Sequence, residues 1–251
     1  MKLNQLAKYL NTQLQIDKFR DYCPNGLQVE GKPEVKRIIS GVTACQQLID
    51  VAIEKQADAI LVHHGFFWKG EPEAIVGIKK QRIQALLKHD ISLLAYHLPL
   101  DSHPQWGNNV QLADVLDFEI TGPIDINDKT VPGCMGRLKH AMSAKELSEH
   151  IALRLNRAPQ HIGEEDDIIN TIAWCTGGAQ SYMSYAINEG IDAYLTGEIN
   201  EPSVHNARES GTHYYAAGHH ATERYGAKAL GEHLSEKFGL EVEFIDIDNP
   251  V

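Results

Sequence analysis

Apolar residues at Leu3, Leu6, Tyr9, Leu10 and Leu14 recur at helical spacing and predict an amphipathic helix at the start of the chain. Asp21 to Gly31 break the pattern with Pro24, Asn25 and Gly26, turn residues that lead into a short strand. The stripes then give way to short apolar runs. Arg37 to Thr43 read as a strand, Cys45 to Lys55 as a helix with Leu48, Val51 and Ala52 inward, and Ala57 to Val62 as a second, buried strand. Ile78 to His89 suit a helix and Ile91 to Tyr96 a third strand. Pro99 argues against a helix over His97 to Asp101, which should close through a turn. Gly107, Asn108 and Asn109 open a helix running through Leu116, with Asn108 or Asn109 as its N-cap. Asp117 to His140 are rich in Gly and Pro and read as a loop-filled seam. Beyond it, Ser143 and Glu146 form a capping box for another amphipathic helix. A helix over Ala227 to Phe238 and an alternating strand, Glu241 to Ile247, close the chain.

The second half repeats the first. Thr171 to Thr196 lie on Arg37 to Val62 without a gap, so that Ile38 meets Ile172, Ala52 meets Ala186, Asp58 meets Asp192 and Leu61 meets Leu195. Each copy is strand, turn, helix, strand. The third strands also match when Ile91 to Asp101 are laid on His213 to Glu223, which sets His97 on His219 and Asp101 on Glu223. The reading is an α/β protein of two repeats, 1–125 and 126–251, with equivalent strand ends facing a shared cleft.

The chemistry sits at those strand ends, where open α/β sheets place it. One run stops at His63 and His64, which alternation on a strand should point to opposite sides. A second delivers His97 with Asp101 four residues on, and a third delivers His219 with Glu223 four residues on. A lone histidine is more often a capped or surface residue. Three strand ends carrying histidine and carboxylate instead suggest a metal cluster, because these donors suit borderline divalent cations. His97 is either a ligand, a residue orienting one, or a proton shuttle. His219 is preferred over His220 because His219 and Glu223 share one helix face. Glu198 falls on His64 in the repeat and is a candidate for an outer position around the metals. Lys69, in the aromatic loop Phe66 to Gly70, is either a solvated lysine or a group that orients an anion or transfers a proton. Phe66, Phe67 and Trp68 read as packing or a pocket wall, and His103, beside Pro104, as a surface residue.

Composition narrows the classes. The net charge of −11 and the lack of any basic run argue against a general nucleic-acid surface. Four scattered cysteines without a CxxC pair point to reduced thiols and a cytoplasmic protein, and no apolar stretch approaches the length of a membrane span.

GVTA, LVHHGFFWKG, YHLPLD followed by GNN, and AAGHHATE together resemble the Nif-three-like dinuclear metal-centre family of the YbgI type, whose members are called GTP cyclohydrolase I type 2 homologues. The likeness runs over essentially the whole chain in order. It implies two intertwined, duplicated α/β repeats with mixed β-sheets, a dimetal site in the cleft between them, and a toroidal homohexamer. Carried over by position, the ligands are His63, His64, Asp101, His219 and Glu223, with Glu223 bridging two divalent ions of zinc, manganese, iron or nickel. The family name implies a hydrolase in which metal-activated water attacks the purine ring of GTP, with His97 or Lys69 moving protons. The alternatives are a phosphoesterase using the same site, or a metal-stabilised ring that binds a partner protein or nucleic acid without turnover.

Overall fold

The computed structural model describes residues 1–251, which group by compactness into two units: Met1–Trp106 with Gly226–Asp248, and Gly107–Tyr225 with Asn249–Val251. In chain order the first unit begins with α1 (Leu3–Gln13), β1 (Gly26–Val29), β2 (Arg37–Thr43), α2 (Gln46–Glu54), β3 (Ala59–His64), α3 (Gly77–Lys88), β4 (Ser92–Ala95) and α4 (Leu98–Asp101). The second unit follows with α5 (Asn108–Leu116), β5 (Phe118–Pro123), β6 (Cys134–Ser143), α6 (Ala144–Leu155), β7 (Gln160–Ile162), β8 (Ile168–Trp174), α7 (Met183–Asn188), β9 (Ala193–Thr196), α8 (Glu201–Ser210) and β10 (His213–Ala216). The chain then runs along α9 (His219–Phe238), whose residues from Gly226 count with the first unit, and ends its regular structure at β11 (Glu241–Phe244).

Both sheets are mixed. The first has the order β1-β4-β3-β2-β11, with only β1 antiparallel; the second is β5-β6-β8-β9-β10-β7, with β8, β9 and β10 parallel. Strands β3 and β4 are buried almost throughout, which is why they read as continuous apolar runs. One face of the first sheet packs on Leu3, Leu6 and Leu10 of α1 and on Leu230 and Leu234 of α9. A second cluster holds Leu48, Ile49 and Ala52 of α2 with Ile83 and Leu86 of α3. In the second unit Trp174 lies fully buried among Leu147, Ile151 and Leu195, its indole N–H given to the Asn109 carbonyl at 2.9 Å.

The duplication holds down to single hydrogen bonds. Asp58 accepts from the amides of Lys36 and Arg37 at 2.9 and 3.1 Å; Asp192, its counterpart, accepts from Asn170 and Thr171, both at 2.9 Å. Ile38 pairs with Ala59 as Ile172 pairs with Ala193. The third strands, however, sit one residue away from the match made by sequence. Ser92 is the partner of Ala59 and His213 the partner of Ala193, so Ser92 answers to His213 and His97 answers to Gly218. The apparent equivalence of His97 with His219 is therefore a one-residue slip: His97 caps α4, whereas His219 is already the first helical residue of α9.

Other local expectations change as well. His97 to Asp101 do form a short helix, because Pro99 falls in its first turn, where the missing N–H would have had no partner. Gly107, not an asparagine, caps α5; Asn108 and Asn109 are buried in its first turn, and the Asn109 side chain accepts from the Thr176 amide at 3.0 Å. The supposed seam contains the β5–β6 pairing, and one of its glycines serves that pairing: a Cβ at Gly136 would collide with the Glu119 carbonyl and the Trp174 ring. The Ser143–Glu146 capping box is present in full.

Candidate metal centre

In the first unit, His63 and His64 end β3, where pairing with β4 stops at Val62 and Ala95. Past that last pair the imidazoles converge instead of diverging: their centroids are 4.5 Å apart. His97 lies 5.1 and 5.7 Å from them, centroid to centroid, and one nitrogen from each of the three rings falls within 4.8 Å of the other two. Asp101, nearly buried at the end of α4, brings a carboxylate oxygen to 3.4 Å from His63 Nε2. Trp68 stands edge-on to His97 at 5.0 Å and 5.7 Å from His64, so it walls the cluster.

Each imidazole here is oriented from behind. His63 Nδ1 donates to the Tyr96 carbonyl at 3.0 Å, which leaves the lone pair of the neutral ring on Nε2. His64 Nδ1 is 3.3 Å from the Thr43 hydroxyl, which can serve as donor or acceptor. His97 Nδ1 donates to Asp21 at 2.7 Å. Asp21 also accepts from the Leu98 amide at 3.0 Å and the Asn25 amide group at 2.8 Å, while Asn25 accepts from the His97 amide at 2.7 Å. Burial alone would raise the Asp21 carboxyl, but the hydrogen bond and charge of His97, with Asn25 and the Tyr22 amide, hold it below its ordinary value. The turn around Pro24 thus carries, through Asp21 and Asn25, the support under His97. Asp21 went unnoticed because it lies in a loop 76 residues away from its partner, and its only signal was an unexplained Asp and Asn around a proline. Cys23 is pushed up to about 12, first by burial and then by Asp21, and keeps its proton. Lys69 is exposed, its amide bonded to the Tyr22 carbonyl at 2.6 Å.

In the second unit, His219 and Glu223 occupy successive turns of α9, with His219 Nε2 at 3.1 Å from a Glu223 oxygen. His219 Nδ1 donates to Glu198 at 2.7 Å, and Gln180 donates to the other Glu198 oxygen at 2.7 Å. Glu198 thus stands behind His219 and fixes its ring. Glycines make the room. Gly177 has φ +70°, its amide donates to Thr222 Oγ1 at 3.0 Å, and a Cβ there would run into Glu223 and come within 3.2 Å of His219 Nε2. A Cβ at Gly197 would meet the His219 Cα at 2.5 Å. His220 is half-buried, its amide bonded to the Val251 carbonyl at 2.9 Å. Burial would lower the pKa of His219, but Glu223 and then Glu198 outweigh it and raise it to about 9. Two carboxylates around one imidazole make a spot that favours an added positive charge.

These donors fit a divalent metal. His63, His97 and His219 each give Nδ1–H to a carbonyl or carboxylate and offer Nε2, the arrangement in which a metal-binding histidine is usually held. Imidazole with carboxylate suits zinc, manganese, iron or nickel. No helix of the chain is long and apolar enough to cross a membrane.

The family described as Duf34/NIF3 (NGG1p interacting factor 3) matches residues 1–250. A relative from Vibrio cholerae named GTP cyclohydrolase 1 type 2 homolog is 53% identical over 249 residues, covering 98% of both chains. A solved structure described as protein ybgI, unknown function, is 47% identical, covers both chains completely and superposes with a TM-score of 0.95. A crystal structure from Thermus thermophilus, 32% identical and also matched over both full lengths, gives 0.89.

Proposed function

The chain belongs to the Duf34/NIF3 family, and from that premise we propose that it is a dinuclear metal-dependent hydrolase whose two divalent cations are held by His63, His64, Asp101, His219 and Glu223. The substrate class carried by the relatives' name is a purine nucleotide attacked at its ring. The observation that supports this reading best is that imidazoles in each unit are locked through Nδ1 with Nε2 turned toward a buried carboxylate: His63 toward Asp101, His219 toward Glu223. Such a cation pair supplies Lewis acidity, polarising the bond under attack and making water nucleophilic near neutral pH.

The chain's own residues supply the rest. Asp101 and Glu223, 5% and 3% exposed, offset the cations' charge away from bulk water. His97, fixed by Asp21 through Nδ1, presents Nε2 beside His63 and His64 and is the candidate for moving a proton to or from the substrate. Lys69 is the exposed alternative for that role. Trp68 shields one side of the cluster from water. The free cysteines support a cytoplasmic setting, and the homohexamer implied by the family resemblance is tested by light scattering on purified protein.

The test of function is formate release from GTP, with a panel of phosphoesters alongside, by protein of measured metal content. Asp101→Ala should lose both metal and product. Formate release that survives chelation rejects the mechanism, whereas phosphoester cleavage alone moves the same site to the other hydrolase class. Full metal load with no product from any substrate, together with metal-dependent assembly or partner binding, favours a ring that binds rather than turns over.

A further inference from the structure

A cavity of about 340 Å³ opens in the first unit beside His64, within the size range of small-molecule pockets. Phe66, Trp68, Pro72 and Ile78 give it an apolar, partly aromatic wall. Two cations, Lys79 and Arg82 of α3, line it with one carboxylate, Glu71. The positive excess runs against a chain of net charge −11.

Surface cations that merely lay their stems along apolar neighbours keep their heads in water. Here burial reaches further: both side chains are half-buried, and in Arg82 it extends to an atom of the guanidinium itself. The Arg82 Nε is buried with no hydrogen-bond partner, a costly state for part of a charged group. Lys79 is only 18% exposed; its ammonium donates to the Pro72 carbonyl at 3.1 Å, lies 4.9 Å from the centre of the Phe67 ring and comes no nearer than 3.9 Å to Glu71. One long ion pair to Glu71 is thus the carboxylate contact of Lys79, and Arg82 forms no ion pair. The cavity thus joins a stacking wall to an under-neutralised cationic end, with an imidazole of the metal centre along its edge.

We propose that this cavity binds a planar aromatic ligand carrying an anionic group, of the nucleotide class: the ring lies against Trp68 and Phe66 near His64, and the anion is taken by Arg82 and Lys79. The orientation of the ring toward His64 rests on the hydrolase reading; the pocket itself does not.

The test is calorimetric binding of GTP, guanosine and inorganic triphosphate to the full-length protein in the presence of chelator, so that neither metal nor turnover contributes. GTP should bind more tightly than either fragment. Arg82→Gln and Lys79→Gln should each weaken GTP about tenfold or more, the loss expected for one charge-assisted hydrogen bond, with guanosine nearly unaffected. Lys79→Gln, at a partly exposed position, keeps the test open if Arg82→Gln misfolds. GTP affinity unchanged in both variants, or no GTP binding, overturns the proposal, and triphosphate binding as tightly as GTP removes its aromatic half. Failure of the hydrolase reading looks different: no product from metal-loaded protein, with the Arg82 and Lys79 dependence of binding intact.

Discussion

Asp58 in the first unit and Asp192 in the second close the same pair of backbone amides at the start of corresponding strands, yet the strands that follow them close differently, β3 on His63-His64 and β9 on Thr196 with Gly197-Glu198 just beyond it. The repeat is preserved where backbone polar groups must be satisfied and broken where the candidate metal donors stand. The first unit brings imidazoles on β3 and at the start of α4, with the buried carboxylate of Asp101 beside His63. The second brings one imidazole and one buried carboxylate on α9, surrounded by glycines that leave space and by an orienting Glu198. The two copies thus diverged at their strand ends, into three imidazoles with Asp101 in the first unit and a single imidazole held between two carboxylates in the second.

Filling the glycine cradle should break the second half most severely. Gly177→Val places a branched side chain where Glu223 and His219 already sit, at φ +70°. It should cost about 3 kcal/mol or more in unfolding free energy and abolish metal binding. Gly190, at φ +65° with nothing within 4 Å of a new Cβ, is the control: Gly190→Ala should cost about 1–2 kcal/mol and leave the metal in place. Thermal melting and elemental analysis of both variants check this; a Gly177→Val protein with full metal content would show that the cradle is not needed.

The orienting carboxylates sharpen the comparison further. Glu198→Gln removes charge behind His219 and should weaken metal binding about 10- to 100-fold, the usual cost of losing such support. Asp21→Asn stands behind His97, whose backbone counterpart is Gly218 rather than a donor. It should leave metal content unchanged and alter the pH dependence of turnover. Competitive chelator titrations on both variants decide the matter, and metal loss in Asp21→Asn would make His97 a ligand.

That slip of one residue marks the limit of what the chain alone disclosed. Strands β2 and β3, the helix after each, the capping box at Ser143 and the 134-residue repeat were legible because burial and periodicity act locally along the sequence. The pairing of β5 with β6 was hidden by its glycines and prolines, and α8 by its polar surface. Asp21 under His97 and the cations beside Trp68 depend on contacts across long stretches of chain, which no local pattern records. The converging rings of His63 and His64 were misjudged because strand alternation was carried past the residue where pairing with β4 stops.

The paired amide clamps give a smaller and more even effect. Asp58→Ala strands the Lys36 and Arg37 amides, and Asp192→Ala those of Asn170 and Thr171, so each should cost about 1–2 kcal/mol. Denaturant unfolding should return similar values for the two if the repeat is energetically as well as geometrically duplicated. A difference of several-fold would confine the duplication to geometry.

The smallest expected effect concerns pH, and it sets His103 in the first unit against His219 in the second. His103 is stacked on Trp106 with centroids 4.2 Å apart, and its Nδ1 accepts from the Gln105 and Trp106 amides at 3.2 and 3.1 Å, a role only the unprotonated nitrogen can fill. Burial, helped by the charge of His233, pushes it down to about 4, where Glu223 and Glu198 push His219 up to about 9. The linkage signs are opposite. For His103 the folded value lies below the unfolded one, so its contribution is complete above about pH 6.5 and is lost as pH falls toward 4. For His219 in chelated protein the contribution is complete below about pH 6.5 and is lost as pH rises through 9. Discounted for the partial exposure of His103, the acid-side effect is about 1 kcal/mol. His103→Gln should accordingly flatten the loss of stability between pH 6.5 and 4 while leaving the alkaline side of the metal-free protein unchanged. Unfolding midpoints that fall equally steeply with acid in both proteins would mean that His103 already titrates in the folded state as it does in the unfolded chain.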